Sequence, residues 1–141
     1  MNKPEEDIIS IFRRENCSCV IANEEGLITI GRERGVKDLM YFLKNKPKVF
    51  KGGFVADKVV GKGAAALMVL GGIKSVYADI MSRNALELLA RSGIKTEYGV
   101  LTNHIINRAG TDMCPVEKIC LNCKTAEECL PLIEEFISKI R

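Results

Sequence analysis

The chain has 141 residues, enough for one domain with a real core and with little room for a second, so residues 1–141 are read as a single domain. Twenty-one Lys and Arg against 18 Asp and Glu leave a net charge of +3, dispersed along the chain, and the aromatic residues are five Phe and three Tyr with no Trp. That balance excludes nucleic acid as the main partner, by charge and by lack of stacking platforms.

The opening MNKPEEDIISIFRREN lacks the uninterrupted apolar run of a signal peptide, and no segment reaches the roughly 18 apolar residues of a membrane span. A soluble cytoplasmic protein with no membrane partner is expected. The six cysteines then read as thiols, or as metal ligands if they converge.

Pro4 followed by Glu5, Glu6 and Asp7 starts a helix, and Arg13 and Arg14 suit its negative end. CSCVIA and LITIG flank Asn23-Glu24-Glu25-Gly26 and predict a β-hairpin. Cys17 and Cys19 alternate on its first strand, which predicts burial on one shared face. Residues 37–46 predict a short helix with Leu39, Phe42 and Leu43 inward and Pro47 past its end.

The chain then alternates: strand 54–60, helix 62–70, strand 74–81, helix 83–92, strand 95–101. This βαβαβ order predicts parallel neighbours with right-handed crossovers, an α/β layer. Ser82 is the expected N-cap of the second of these helices, Gly93 its C′ residue, and Ala85, Leu86, Leu88 and Leu89 its buried stripe. The final run, TAEECLPLIEEFISKIR, offers a capping box in Thr125 and Glu128; Pro131 inside it predicts a kink, or a helix beginning near Leu130.

Two segments carry chemistry. In FVADKVVGKGAAALM, Gly61, Gly63 and Ala66 spell G-x-G-x-x-A between a strand and a helix, with Asp79 ending the next strand, the outline of a dinucleotide fingerprint. Asp57 and Lys58 interrupt the first strand, and the Ser/Thr of a Walker loop is missing after Lys62. One reading makes the turn a site for an anion at free helix N–H groups, with Asp57, Lys58 and Lys62 around it. The other makes it packing, Gly63 and the alanines letting the helix approach the sheet.

The second segment, NHIINRAGTDMCPVEKICLNCKTAEEC, gathers the single His104 with Asn103, Asn107, Arg108, Cys114, Glu117 and three further cysteines. Cys114, Cys120, Cys123 and Cys129 have the spacing C-x5-C-x2-C-x5-C; four thiolates could hold zinc or an iron–sulfur cluster, but only the inner pair has a familiar spacing. Cys120 and Cys123 read equally as small buried residues. Cys114, placed before Pro115 at a helix start, is a candidate nucleophile, with Glu117 or Asp57 as proton carrier.

Together, ADKVVGKGAAALM, SVYADIMSRNALELLARSGI and INRAGTDMCPVE make the chain resemble a small prokaryotic domain-of-unknown-function family with a cytidine-deaminase-like fold. The likeness runs over nearly the whole chain. It implies a three-layer α/β/α sandwich on a mixed five-stranded sheet, an N-terminal antiparallel hairpin followed by βαβαβ. It also implies a shared pattern of Asp57, Lys58, Gly61, Lys62 and Ala65 with Asn107, Arg108, Cys114 and Glu117.

True deaminases start their helices with His-x-Glu or Cys-x-Glu and Pro-Cys-x-x-Cys. Neither Val60 to Gly63 nor Ser82 to Asn84 carries those ligands, so no deaminase-type zinc or chemistry is expected.

The expected function is binding of a small anionic or nucleotide-like metabolite at the helix N-termini, through Asp57, Lys58, Gly61, Lys62, Gly63, Ser82, Asn107 and Arg108. The alternatives are a Cys114 enzyme for thiol or acyl transfer, and a thiolate metal protein. A homo-oligomer stays open.

Overall fold

The computed structural model describes residues 5–33, 36–107 and 109–140. Helix α1 (Glu5–Arg14) precedes the hairpin β1 (Cys19–Ala22) and β2 (Ile28–Gly31). Helix α2 (Lys37–Asn45) ends before a 3-10 turn at Pro47–Val49, since proline removes the donor a longer helix would need. Then come β3 (Phe54–Val60), α3 (Lys62–Gly71), β4 (Ser75–Ser82), α4 (Arg83–Arg91) and β5 (Lys95–Thr102). Helices α5 (Pro115–Cys120) and α6 (Ala126–Lys139) close the chain.

The five strands form one mixed sheet in the order β2-β1-β3-β4-β5. β1 runs antiparallel to β2 and β3, while β3, β4 and β5 are mutually parallel neighbours. One face is covered by α1, whose Ile8 and Phe12 pack with Val20, Ala22, Phe54 and Ala56. The other carries the larger core, in which α3 touches α2, α4, α5 and α6. That central position explains why KGAAALMVLG has almost no polar face: a helix surrounded on all sides buries every side. Fully buried Leu67, Met68, Leu89 and Ile133 each stabilise this core by about 1.5–3 kcal/mol. The layers are therefore α1, the sheet, and the remaining helices, the three-layer α/β arrangement expected from the sequence.

Local signals set the ends. Ser82 Oγ accepts from Ala85 N at 3.1 Å, which caps α4, and Gly93 follows that helix at φ 76°. Ala85, Leu88 and Leu89 are the buried residues of α4, with Leu86 partly covered. Thr125 Oγ1 accepts from Glu128 N at 3.2 Å, while the Glu128 carboxylate reaches past the cap to Lys124 N at 2.6 Å.

Two expectations need correction. Helix α6 begins at Ala126 and runs through Pro131 to Lys139; it does not start near Leu130, because the Thr125 cap fixes the first turn upstream of the proline. Cys17 and Cys19 are both buried but not on one face. Cys17 precedes the strand and packs with the α1 layer, whereas Cys19, within β1, belongs to the larger core.

β3 also departs from strict alternation. Val55 and Val60 both lie in the larger core although five residues apart, an odd separation that a regular strand would send to opposite faces. The strand turns over between them, leaving Asp57 buried and Lys58 and Val59 exposed.

Candidate functional site

The glycine turn is occupied from within. Gly61 is the N-cap of α3 in an extended conformation that offers no side-chain acceptor to the helix. The acceptor is Glu117, from α5: its Oε1 takes Lys62 N at 2.7 Å and Ser82 Oγ at 3.0 Å, and its Oε2 takes Ile105 N at 2.6 Å. Glu117 is 1% exposed. The free N–H and hydroxyl groups expected to face a ligand thus face a resident carboxylate, which the positive ends of α3 and α4 stabilise.

Packing also explains Gly63. A Cβ built there would lie 2.3 Å from Val116 Cγ1, so the glycine is required by close approach of α5. The expected close approach is real, but its partner is a helix and not the sheet.

Lys62 is buried, and its ammonium turns away from the strand ends. It donates to the carbonyl of Leu121 at 3.0 Å and to that of Cys123, satisfying acceptors at the end of α5. Ser82 is wholly buried beneath Glu117.

Beside this node opens a cleft of about 920 Å³. One wall comes from the start of β1 and the hairpin exit: Asn16, Cys17, Ser18, Arg32, Val36 and Lys37. β3 and the head of α3 supply Asp57, Lys58, Val59, Gly61, Gly63 and Ala64. The segment from Ile105 to Glu117 adds Asn107 and Cys114, and α6 closes the far side with the apolar Phe136, Ile137 and Ile140. Of the expected ligand residues, Asp57, Lys58, Gly61, Gly63 and Asn107 meet here, while Lys62 and Ser82 do not line the cleft; Arg108 lies outside the described residues.

Asp57 is the unusual group in this cleft. It is 8% exposed, pairs with Cys19 in the β1–β3 ladder, and accepts from Val59 N at 3.4 Å. Among the described residues no cation bonds to it. Burial pushes its carboxyl up to about 7, against the pull of the Val59 and Lys58 N–H groups. A carboxyl that titrates near neutrality can hold or release a proton under ordinary conditions. Next to it, Lys58 is exposed. Arg32 is tied to Asn16 O at 2.9 Å and to the Glu15 carboxylate at 3.2 Å.

The cysteines separate into two environments. Cys114 caps α5 on the cleft wall and is half-buried. Cys120 and Cys129 are buried and Cys123 is half-buried, and Cys120 first, then burial, pushes the Cys129 thiol up. Cys123 is pushed up to about 11, by burial first and by Cys129 next. Among the described residues, no group of three or more His, Cys, Asp or Glu side chains is placed to hold a metal ion. His104 sits in the loop after β5 with Nδ1 3.3 Å from Asn84 Nδ2, and Asn103 accepts from Arg83 at 2.9 Å; both tie that loop to α4.

The family model described as TM1506, domain of unknown function (DUF1893), matches residues 7–137. The chain belongs to the DUF1893 family. A DUF1893 family protein of known crystal structure, TM1506 from Thermotoga maritima, shares its fold: the TM-score is 0.85 at 24% identity, over 93% of this chain and 88% of that chain. No curated protein matches. These likenesses show the family and the fold. Among the described residues, no helix is long and apolar enough to cross a membrane.

The residues missed from sequence are those of the two outer walls. Asn16, Arg32 and Lys37 flank the hairpin, Ile137 lies in the last turn of α6, and Ile140 follows that helix. Nothing local marks them, because only the tertiary fold brings them to β3.

Proposed function

We propose that this DUF1893 protein binds a small anionic metabolite in the cleft between β3, α5 and α6, with the ligand held by side chains of the cleft and not by the helix N-termini. The observation that carries this reading is Asp57: a buried carboxyl that lines a cleft next to an exposed lysine, and to which, among the described residues, no cation bonds. Burying such a group costs stability, and a fold tolerates that cost where the group meets a ligand. The opposite wall of Phe136, Ile137 and Ile140 suits an apolar or planar body, which a nucleotide-like molecule also has. The hairpin followed by βαβαβ supports kinship with the cytidine-deaminase-like architecture, without its zinc chemistry. Six free thiols favour a reducing compartment such as the cytoplasm.

The test is thermal unfolding against a panel of nucleotides, phosphorylated metabolites and organic acids, comparing wild type with Lys58→Ala. A ligand at a hundred times its Kd stabilises the folded state by roughly 2.7 kcal/mol, so Tm rises with the logarithm of ligand concentration above Kd. A rise for one anion class, reduced in Lys58→Ala, supports the reading; no rise with any of them at millimolar concentration sinks it.

A second reading, cysteine-dependent chemistry, rests on Cys114 and Asp57 lining the same cleft. Asp57 would be its proton carrier, since the Glu117 carboxylate already accepts three hydrogen bonds. Loss of a measured turnover in Cys114→Ser, with ligand affinity retained, would select it.

A further inference from the structure

The cleft places an acid and a cation side by side, and the acid is the more deeply set of the two. Resting on the small-anion reading above, we infer that binding is proton-linked: the anionic group of the ligand is held by a hydrogen bond from the protonated Asp57 carboxyl, with Lys58 supplying the positive charge. Two facing anions about 4 Å apart would repel by roughly 4 kcal/mol at an effective dielectric of 20. A neutral carboxyl removes that repulsion and becomes a donor. Starting from ionised Asp57, one proton and one anion enter together, so the net charge of the complex is that of the unliganded protein.

Among the described residues, most charged groups packed around Asp57 have partners of their own. From β1, the Cys17 and Cys19 thiols are both raised, by burial first, and stay neutral. Beyond β2, Arg32 is paired with Glu15. On α2, Asp38 accepts from Glu33 N at 2.8 Å, and Lys37 is exposed. On β4, Asp79 is held by Arg13 at 2.8 Å and by Tyr77 at 2.9 Å. At the head of α5, Cys114 also lines the cleft, and the Glu117 carboxylate is occupied by its three donors. Among the described residues, Asp57 is the carboxyl of the cleft held by neither a cation nor a set of strong donors, its hydrogen bond being the 3.4 Å contact from Val59 N.

The experiment uses benzoate as the probe, an apolar ring with a carboxylate that stays ionised from about pH 5.5 to about pH 8.5. Its affinity is measured calorimetrically across that range for wild type, Asp57→Asn and Lys58→Gln, with circular dichroism confirming that each variant is folded. In wild type the affinity should be level below about pH 7 and fall about tenfold per pH unit above it. In Asp57→Asn, whose amide donates without titrating, it should be level throughout. Lys58→Gln should bind more weakly at every pH and keep the wild-type slope. Titrations at about pH 8.5 in two buffers of different ionisation heat should show about one proton taken up per benzoate bound. A wild-type affinity independent of pH, or the same slope in Asp57→Asn, overturns the proton linkage while leaving the cleft reading intact. Benzoate that binds wild type at no pH overturns this inference, while the anion panel above decides the cleft reading by itself.

Discussion

Ser82 and Glu117 meet over the heads of two helices: the serine hydroxyl donates to Glu117 Oε1 at 3.0 Å while its oxygen accepts from Ala85 N at 3.1 Å. The same carboxylate oxygen takes Lys62 N from α3 at 2.7 Å. One buried acid therefore joins the starts of both central helices, where an external anion was expected from the sequence.

Removing that acid leaves buried donors unpaired. Glu117→Gln should lower unfolding stability by about 3 kcal/mol, since one amide oxygen cannot accept what two carboxylate oxygens accept and the amide N–H₂ faces other donors. Glu117→Ala should cost more. Urea unfolding of both variants checks the order, and a Gln variant as stable as wild type would show that the node is dispensable.

Gly63→Ala inserts a methyl group where Val116 Cγ1 would lie 2.3 Å away. The helices must part or the valine must turn, at a cost of about 2 kcal/mol. Val116→Ala added to Gly63→Ala should return part of the loss, because it vacates the space the new methyl needs; a double-mutant cycle reads the coupling.

Lys62→Met should destabilise the protein by about 2 kcal/mol, since it removes the shared donor to the Leu121 and Cys123 carbonyls, which are half-buried. Ligand affinity in the cleft should not change by more than about twofold, because the Lys62 ammonium points elsewhere. A large loss of affinity with unaltered stability would reverse that assignment.

Asp57 sets a pH dependence of known sign. Its folded value, about 7, lies above the ordinary carboxyl value, so the unfolded chain releases this proton first as pH rises. The protonated group's contribution is fully present below about pH 4, declines between about pH 4 and about pH 7, and is absent above. Asp57→Asn should therefore leave stability nearly unchanged near pH 4 and raise it at pH 8 by up to a few kcal/mol. Denaturant titrations at the two pH values test the difference; a variant less stable than wild type at pH 8 contradicts it.

Thiol labelling should divide the six cysteines by position. Cys114 should react first with iodoacetamide at neutral pH. Cys123, equally half-buried but pushed up to about 11, should follow slowly. Cys17, Cys19, Cys120 and Cys129 are buried and should label only on unfolding.

The fold was legible wherever a signal was local. The βαβαβ alternation, the Ser82 cap, the Gly93 turn and the α4 stripe each depend on a few adjacent residues, and each stands where expected. The site was legible in part. Asp57 and Lys58 could be picked out because charges in an apolar strand are costly, and Gly61 and Gly63 because turns and close approaches select glycine. What filled the turn was not readable, since Glu117 lies 55 residues from Lys62 and a helix head accepts a resident carboxylate as readily as a foreign one. Lys62 misled for a similar reason: sequence places its Cα at the turn but not the end of a long flexible side chain. The apolar wall from α6 belongs to a helix that the sequence located by its cap alone, with nothing to say which element its apolar side would meet.

The distance along the chain between Lys62 and Glu117 also bears on how the protein is made. Strands β3 and β4 with helices α3 and α4 leave the ribosome well before α5 does. Until then the heads of both helices lack their buried acceptor, and the sheet grows with its central helix incompletely fastened. The segment around Glu117 acts as a late clasp, so a nascent chain halted before it would carry the elements of the sandwich without the fastening that locks them.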